Sequence, residues 1–172
     1  AMTVASRIGL MDHGRLAQVA TPPVIYENPN SRFVADFIGD VNMLEGKAGE
    51  RVADGPEPTY RFIRDADGAV FVGQLGSETD GLTPGSKCWL AVRPAKIAIS
   101  KDKPADAVNL LHGVVEDIGY YGNVSNYHVR LPDGGMIKAQ EANRRRIANR
   151  EINWEDEVWV SWTTGAAVIL DR

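Results

Sequence analysis

The chain has one cysteine, Cys88, in 172 residues. That excludes an intramolecular disulfide framework and a cysteine cluster for zinc, and it fits a reducing compartment. Between Lys87 and Trp89, Cys88 reads as a buried strand residue. No stretch approaches the ~20 apolar residues of a membrane-crossing helix, and the first twenty residues lack the sustained apolar core of a secretory signal. Work at a membrane would therefore go through a partner, without direct insertion. A basic excess is also missing. The net charge of −4 argues against a nucleic-acid partner, because such proteins normally present a basic face. The one short basic run, Arg144, Arg145 and Arg146 with Arg150, is diluted by Glu141 and Glu151 and reads as a solvated face.

Signatures of chemistry are missing as well. There is no G-x-x-x-x-G-K-[ST] phosphate loop, and the glycines fall at turn signals. His13, His112 and His128 are scattered, without the spacing of metal ligands. No serine stands in a G-x-S-x-G elbow, and Cys88 has no evident base. Glu116 and Asp117 are adjacent in a strand and are expected on opposite faces, which is poor geometry for paired acid–base work. The expectation is no catalytic residue, no metal and no cofactor in this chain.

What is present is a β-rich pattern with a different beginning. "MDHGRLAQVATP" reads as a hairpin spanning Ile8 to Ala20, with Asp12, His13 and Gly14 supplying the turn. Thr21 is placed to cap a short helical turn, with Pro22 in its first position. "NPNSRFVADFIG" reads as a helix with Asn28 or Asn30 as its cap and Gly39 just past its end. Phe33 with Phe37, and Val34 with Ile38, recur four residues apart on one face that must pack on something. From about Asn42 onward, apolar runs alternate with turn signals: "ADGPEP", "DADG", "LTPGS", "LPDGG" and "NWED". "VWVSW" places Val158, Val160 and Trp162 on one face and Trp159 and Ser161 on the other. "PADAV", residues 104–108, reads as a linker.

The two halves about that linker resemble each other. "LEGKAGERV" lines up with "LHGVVEDIG", "RDADGAVFV" with "RLPDGGMIK", and "SKCWLAVRPAKIAI" with "DEVWVSWTTGAAVIL", at offsets of 67, 66 and 70 residues. Trp89 then matches Trp159. Each half, 41–103 and 109–172, is expected to form a barrel of about five strands, OB-like in size. The fold expected is mainly β, tandem OB-like barrels preceded by a hairpin and helix.

Two features rise above this background. Pro94 breaks an apolar strand in "AVRPAKIAI", which would hold Arg93 at a strand end or bulge. In "EDIGYYGNVSNYHV", Gly119, Tyr120, Tyr121 and Gly122 interrupt a strand. That bulge either covers a barrel end or aims aromatic rings at a ligand or a second subunit. Arg93, Glu116, Tyr120, Tyr121 and Asn123 are the candidate effector or interface residues.

The stretch "AMTVASRIGLMDHGRLAQVATPPVIYENPNSRFVADFIGDVNMLEG" closely resembles the segment just downstream of the switch histidine in the ATP-binding subunit of bacterial ABC importers. The family pattern there is D-R-I, then M-x-x-G-R-I-x-Q-x-G-T-P, I-Y-x-x-P and F-V-A-x-F-I-G. It is matched at Arg7, Ile8, Met11, Gly14, Arg15, Leu16, Gln18, Thr21, Pro22, Ile25, Tyr26, Pro29, Phe33, Val34, Ala35, Phe37, Ile38 and Gly39. Ser6 stands where Asp is common, and Ala20 where Gly is usual. The rest resembles the family's regulatory TOBE (transport-associated OB) region through "LAVRPAKIAI", "GVVEDIGYYGN", "YHVRLPDGG" and "EDEVWVSW", with Ala95 in place of the usual Glu. "FIGDVNMLEG" is most similar to the putrescine and spermidine branch.

The resemblance implies that residues 1–40 are the end of a nucleotide-binding domain and 41–172 a regulatory and dimerisation region. The phosphate loop, signature motif, catalytic Glu and switch His would lie upstream in a longer subunit, with Ala1 either native or a cloning remnant. ATP and magnesium are implied for that parent, which would be cytoplasmic and peripheral at the inner membrane face, working with permease subunits as a homodimer. Cut from its sheet, the first segment would leave Ile8, Leu10, Leu16, Val19, Phe33, Val34, Phe37 and Ile38 short of cover. Phe33, Phe37 and Ile38 are therefore expected contacts between two copies. The other reading is a small-ligand-binding β module, similar to the tandem barrels that bind oxyanions in other proteins with this domain. Arg93 and exposed backbone N–H groups could hold an anion, or Glu116 with Tyr120 and Tyr121 a polyamine through charge and cation–π contact.

Overall fold

The structure, a computed structural model, describes residues 2–53, 57–143 and 152–172. The basic run at Arg144–Arg146 and Arg150, with Glu151, lies outside the described residues, as does part of the "ADGPEP" turn. Strands β1 (Ile8–Asp12) and β2 (Arg15–Ala20) form the expected hairpin. His13 and Gly14 make its two-residue loop, at φ 50° and 78°. Positive φ at both central residues gives a primed turn whose twist suits the flanking strands. Helix α1 (Pro22–Glu27) follows, with Thr21 at the cap position but no bond from its side chain. Helix α2 (Arg32–Ile38) is capped by Ser31, whose hydroxyl accepts from the Val34 N–H, and not by Asn28 or Asn30. Asn30 is buried and bonds elsewhere. Leu10, Ile25 and Val34 form a small core between hairpin and helices, joined by Ile8, Ala17, Ala20 and Ile38.

The β region then repeats itself. Strands β3 (Asn42–Ala53), β4 (Thr59–Arg64) and β5 (Val70–Leu75) run as an antiparallel meander, followed by β6 (Lys87–Val92). After the short β7 (Ala98–Ser100), strands β8 (Asn109–Tyr120), β9 (Val124–Arg130), β10 (Met136–Ala142) and β11 (Glu157–Trp162) repeat the pattern, closed by β12 (Ala167–Leu170). β3 and β8 are both twelve residues long. Trp89 and Trp159 are each third in their strands. The turns between β4 and β5 and between β9 and β10 match in detail: the Asp67 and Asp133 carboxylates each accept the N–H two residues on.

Tyr60, Phe62, Phe71 and Leu90 are buried in the first half. In the second, Tyr127, Val129, Ile137, Val158 and Val160 alternate inward, as period-two strands with one packed face must. Trp162 is buried with Val158 and Val160, while Trp159 and Ser161 are half-buried on the other face.

The halves do not close on themselves. The first sheet is a closed barrel in the order β12-β5-β4-β3-β6, and the second is a five-stranded sheet in the order β10-β9-β8-β11-β7. β12, from the end of the second half, pairs parallel with β5, and β7, from the end of the first, pairs antiparallel with β11. The compact units are accordingly the residues to Ala91 with Ala167–Arg172, and Val92–Ala166. They differ from the expected divisions at 40/41 and at 103/109. The last strands are exchanged, and the hairpin with its helices belongs to the first unit.

One constraint recurs at equivalent places. A Cβ on Gly46 would lie 2.2 Å from the Ile63 carbonyl oxygen, and one on Gly113 2.6 Å from that of Arg130. Backbone cannot yield as a side-chain tip can. Gly46→Ala and Gly113→Ala are each expected to cost about 2–4 kcal/mol. Gly165, with nothing within 4 Å, should tolerate alanine within about 0.5 kcal/mol. Urea unfolding followed by tryptophan fluorescence checks this; three indistinguishable midpoints would contradict it.

Candidate functional site

The candidate ligand residues lie at the end of β6, on β8 and in the turn after β8. Arg93 sits where β6 ends, ahead of a 3₁₀ turn at Pro94–Lys96, and is buried. Glu116 lies at a bulge between Val115 and Asp117. The bulge leaves both carboxylate residues exposed, where simple alternation had put them on opposite faces. Glu116 is held by Arg130 at 3.3 Å, and Arg130 reaches Glu155 at 3.8 Å.

The bulge expected at Gly119–Gly122 is instead the end of β8 and a turn. Tyr120 is the last residue of the strand, and its ring meets Trp154 edge-on at 6.1 Å. Tyr121 is 64% exposed, and its ring lies over Gly119, where a Cβ would come within 2.9 Å of it. Tyr120 and Tyr121 thus have different neighbours. Asn123 belongs to the turn: its N–H donates to the Tyr121 carbonyl, and its carbonyl accepts from Asn143. Trp154 was not singled out from sequence. "NWED" carried only a turn signal, and the pairing with Tyr120 spans a long sequence distance.

The second candidate surface is on the first forty residues. Met11 and Leu16 are paired across the hairpin and are 56% and 63% exposed. Val19 lies on the same outer face, near Gly9. On α2, Phe33 and Phe37 stand 5.8 Å apart, and Phe37 is 67% exposed. Of the residues expected to be short of cover, Leu10 and Val34 are buried and Ile8 and Ile38 half-buried, whereas Leu16, Val19, Phe33 and Phe37 remain exposed. Contiguous exposed apolar side chains mark interaction surfaces more than scattered ones do.

With this geometry, the chain falls into the class of OB-like β folds: residues 90–170 match the TOBE domain. It is also similar along its length to ATP-binding proteins of bacterial polyamine importers. The putrescine transport ATP-binding protein PotG of Escherichia coli (strain K12) is 37% identical over 170 residues, 99% of this chain and 43% of that protein. The spermidine/putrescine import ATP-binding protein PotA of Thermotoga maritima is 32% identical over 175 residues, 99% of this chain and 45% of that protein. PotA of Thermobifida fusca (strain YX) is 35% identical, covering 99% and 42%. The chain carries the TOBE domain and matches these importer ATP-binding proteins over nearly its whole length. It spans less than half the length of these relatives. Among solved structures, the cytoplasmic molybdate-binding protein ModG matches with a TM-score of 0.65 at 13% identity, over 74% of this chain and 94% of that one. That likeness shows the fold alone.

Cys88 is fully buried on β6. Burial, reinforced by the negative charges of Asp65 and Asp171, pushes its thiol from the ordinary 9.0 up to about 12. The folded state therefore keeps this proton after the unfolded chain has released it. The stabilisation is intact below pH 9.0 and is lost as pH rises towards about 12. At pH 8 an aromatic disulfide reagent should label native Cys88 at least ~100-fold more slowly than the urea-unfolded chain, because the thiolate is both scarce and covered. Equal rates would contradict the burial.

Proposed function

We propose that this chain is the regulatory and dimerisation region of the ATP-binding subunit of an ABC importer for putrescine or spermidine. The observation that carries the reading is similarity to polyamine-importer subunits across 99% of the chain, hairpin and helices included. A stand-alone β module would have no need of that first segment. The outer face of the hairpin, with Met11, Leu16 and Val19, fits a surface on which the remainder of a longer subunit packs. ATP and magnesium would be held by that remainder, and hydrolysis would occur there. The β region would join two subunits while their ATP sites open and close. The full subunit would work at the cytoplasmic face of the membrane, coupled to permease subunits.

Deleting the gene for the full subunit in its host should abolish most uptake of labelled putrescine or spermidine, with restoration by a plasmid copy. Unchanged uptake of both would contradict the transport reading. Sedimentation of the 172-residue chain should return a dimer, and a monomer at high concentration would remove dimerisation from the proposal.

A further inference from the structure

Glu78 has a left-handed backbone, at φ 59°. A residue with a Cβ keeps that conformation where its surroundings hold it there. Its carboxylate accepts a hydrogen bond from Asn30 Nδ2 at 2.9 Å and lies 3.5 Å from Arg172 Nη2. Asn30 is 1% exposed. Its Nδ2 also donates to the Ala17 carbonyl at 2.7 Å, and its backbone N–H donates to Gln18 Oε1 at 2.9 Å. Gln18 Nε2 donates in turn to the Asn28 carbonyl. Nearby, the Arg32 N–H donates to the Arg172 carbonyl at 2.8 Å. The Pro29 carbonyl passes so close to Gly76 that a Cβ there would lie 2.7 Å from it.

All of these groups lie in the first unit, along a seam between the hairpin–helix segment and the first barrel. The apolar part of the seam is Ala35 against Ala91, Val168 and Leu170, and the Arg32 guanidinium stacks 3.6 Å from the Trp89 ring centre. The polar part is incompletely satisfied. Asn28 Oδ1, Asn30 Oδ1 and Thr79 Oγ1 are buried without a hydrogen-bond partner among the described residues. Such a seam is specific in register but weaker than an apolar one of the same size, because each orphaned oxygen gains on meeting water.

We infer that this seam is a releasable clasp. The hairpin and its two helices open from the first barrel as a unit, ahead of the barrel's own unfolding, and Asn30 with Glu78 is the pair that holds them closed. Closed, the clasp makes the segment, the barrel and the end of the chain one body. Open, the segment moves without the barrel. In the transporter, which rests on the reading above, the clasp decides whether upstream motion reaches the regulatory region. The clasp itself stands on the contacts alone.

Native-state amide exchange on the 172-residue chain tests it independently of transport. Amides of Leu10, Gln18 and Val34 should show at least ~10-fold less protection than those of Phe62 and Phe71, as a separately opening unit does. Glu78→Ala should lower the first group a further ~3-fold or more and leave the second unchanged, the scale of one charge-assisted hydrogen bond at an exposed edge. Glu78→Gln keeps an acceptor for Asn30 and should stay close to the parent chain. On an Asn30→Ala background, Glu78→Ala should have no further effect. Glu78 is exposed, so its variants fold even if Asn30→Ala does not. One common protection for both groups, or equal losses in both, would overturn the clasp; independent effects of the two substitutions would overturn the pair.

Discussion

Parallel pairing of β12 with β5 is the constraint on which the rest of the first unit depends. Val168 faces Gln74 and Ile169 faces Leu75, and the Gly76 N–H extends the ladder to the Ile169 carbonyl at 3.0 Å. Without β12 the barrel would expose two unpaired strand edges and the core that Ile169 and Leu170 fill. The same strand also receives the hairpin–helix segment, through Val168 and Leu170 against Ala35. Residues near both ends of the chain therefore meet on one short strand. Because such pairing is long-range, its loop-closure cost falls on late steps of folding.

Glycine is what lets that crowding exist. A Cβ on Gly73 would come within 2.9 Å of Leu90 and 3.2 Å of Ile169. A Cβ on Gly76 would meet Leu170 at 2.8 Å as well as the Pro29 carbonyl. The two glycines flank the β5–β12 ladder and mark where backbone and core approach most closely. A polar seam at this place ties the segment in one register without adding much apolar cover. The large side chains Leu16 and Phe37 are left facing outward.

Much of the strand order was legible because the repeat is carried by local signals: Asp-Gly turns, alternating apolar residues, and tryptophans at offset 70. The exchange of last strands was not. "KIAI" before the linker and "AVIL" near the end have the same apolar pattern and follow equivalent turns, so either suits either sheet. The choice is made by tertiary pairing alone. The cap of α2 was misplaced for a similar reason. Asn28, Asn30 and Ser31 all suit a helix start, and burial of the Asn30 amide against Ala17 and Glu78 assigns the cap to Ser31. Of the candidate site, the helical spacing of Phe33 and Phe37 pointed to a packed face, whereas Val34 takes the buried position and the two rings stay exposed. The Tyr120–Trp154 contact and the separation of Tyr120 from Tyr121 depend on side-chain directions that a one-dimensional pattern does not contain.

The central structural claim is that the end of the chain belongs to the first barrel. Amide exchange on Ile169→Ala tests it directly, since Ile169 is fully buried and truncating such a residue costs about 2–5 kcal/mol. The account predicts that protection falls at Phe62 and Phe71 in β4 and β5, while Val129 and Ile137 in β9 and β10 keep theirs. Loss centred on β9 and β10, with β4 and β5 unchanged, would contradict it.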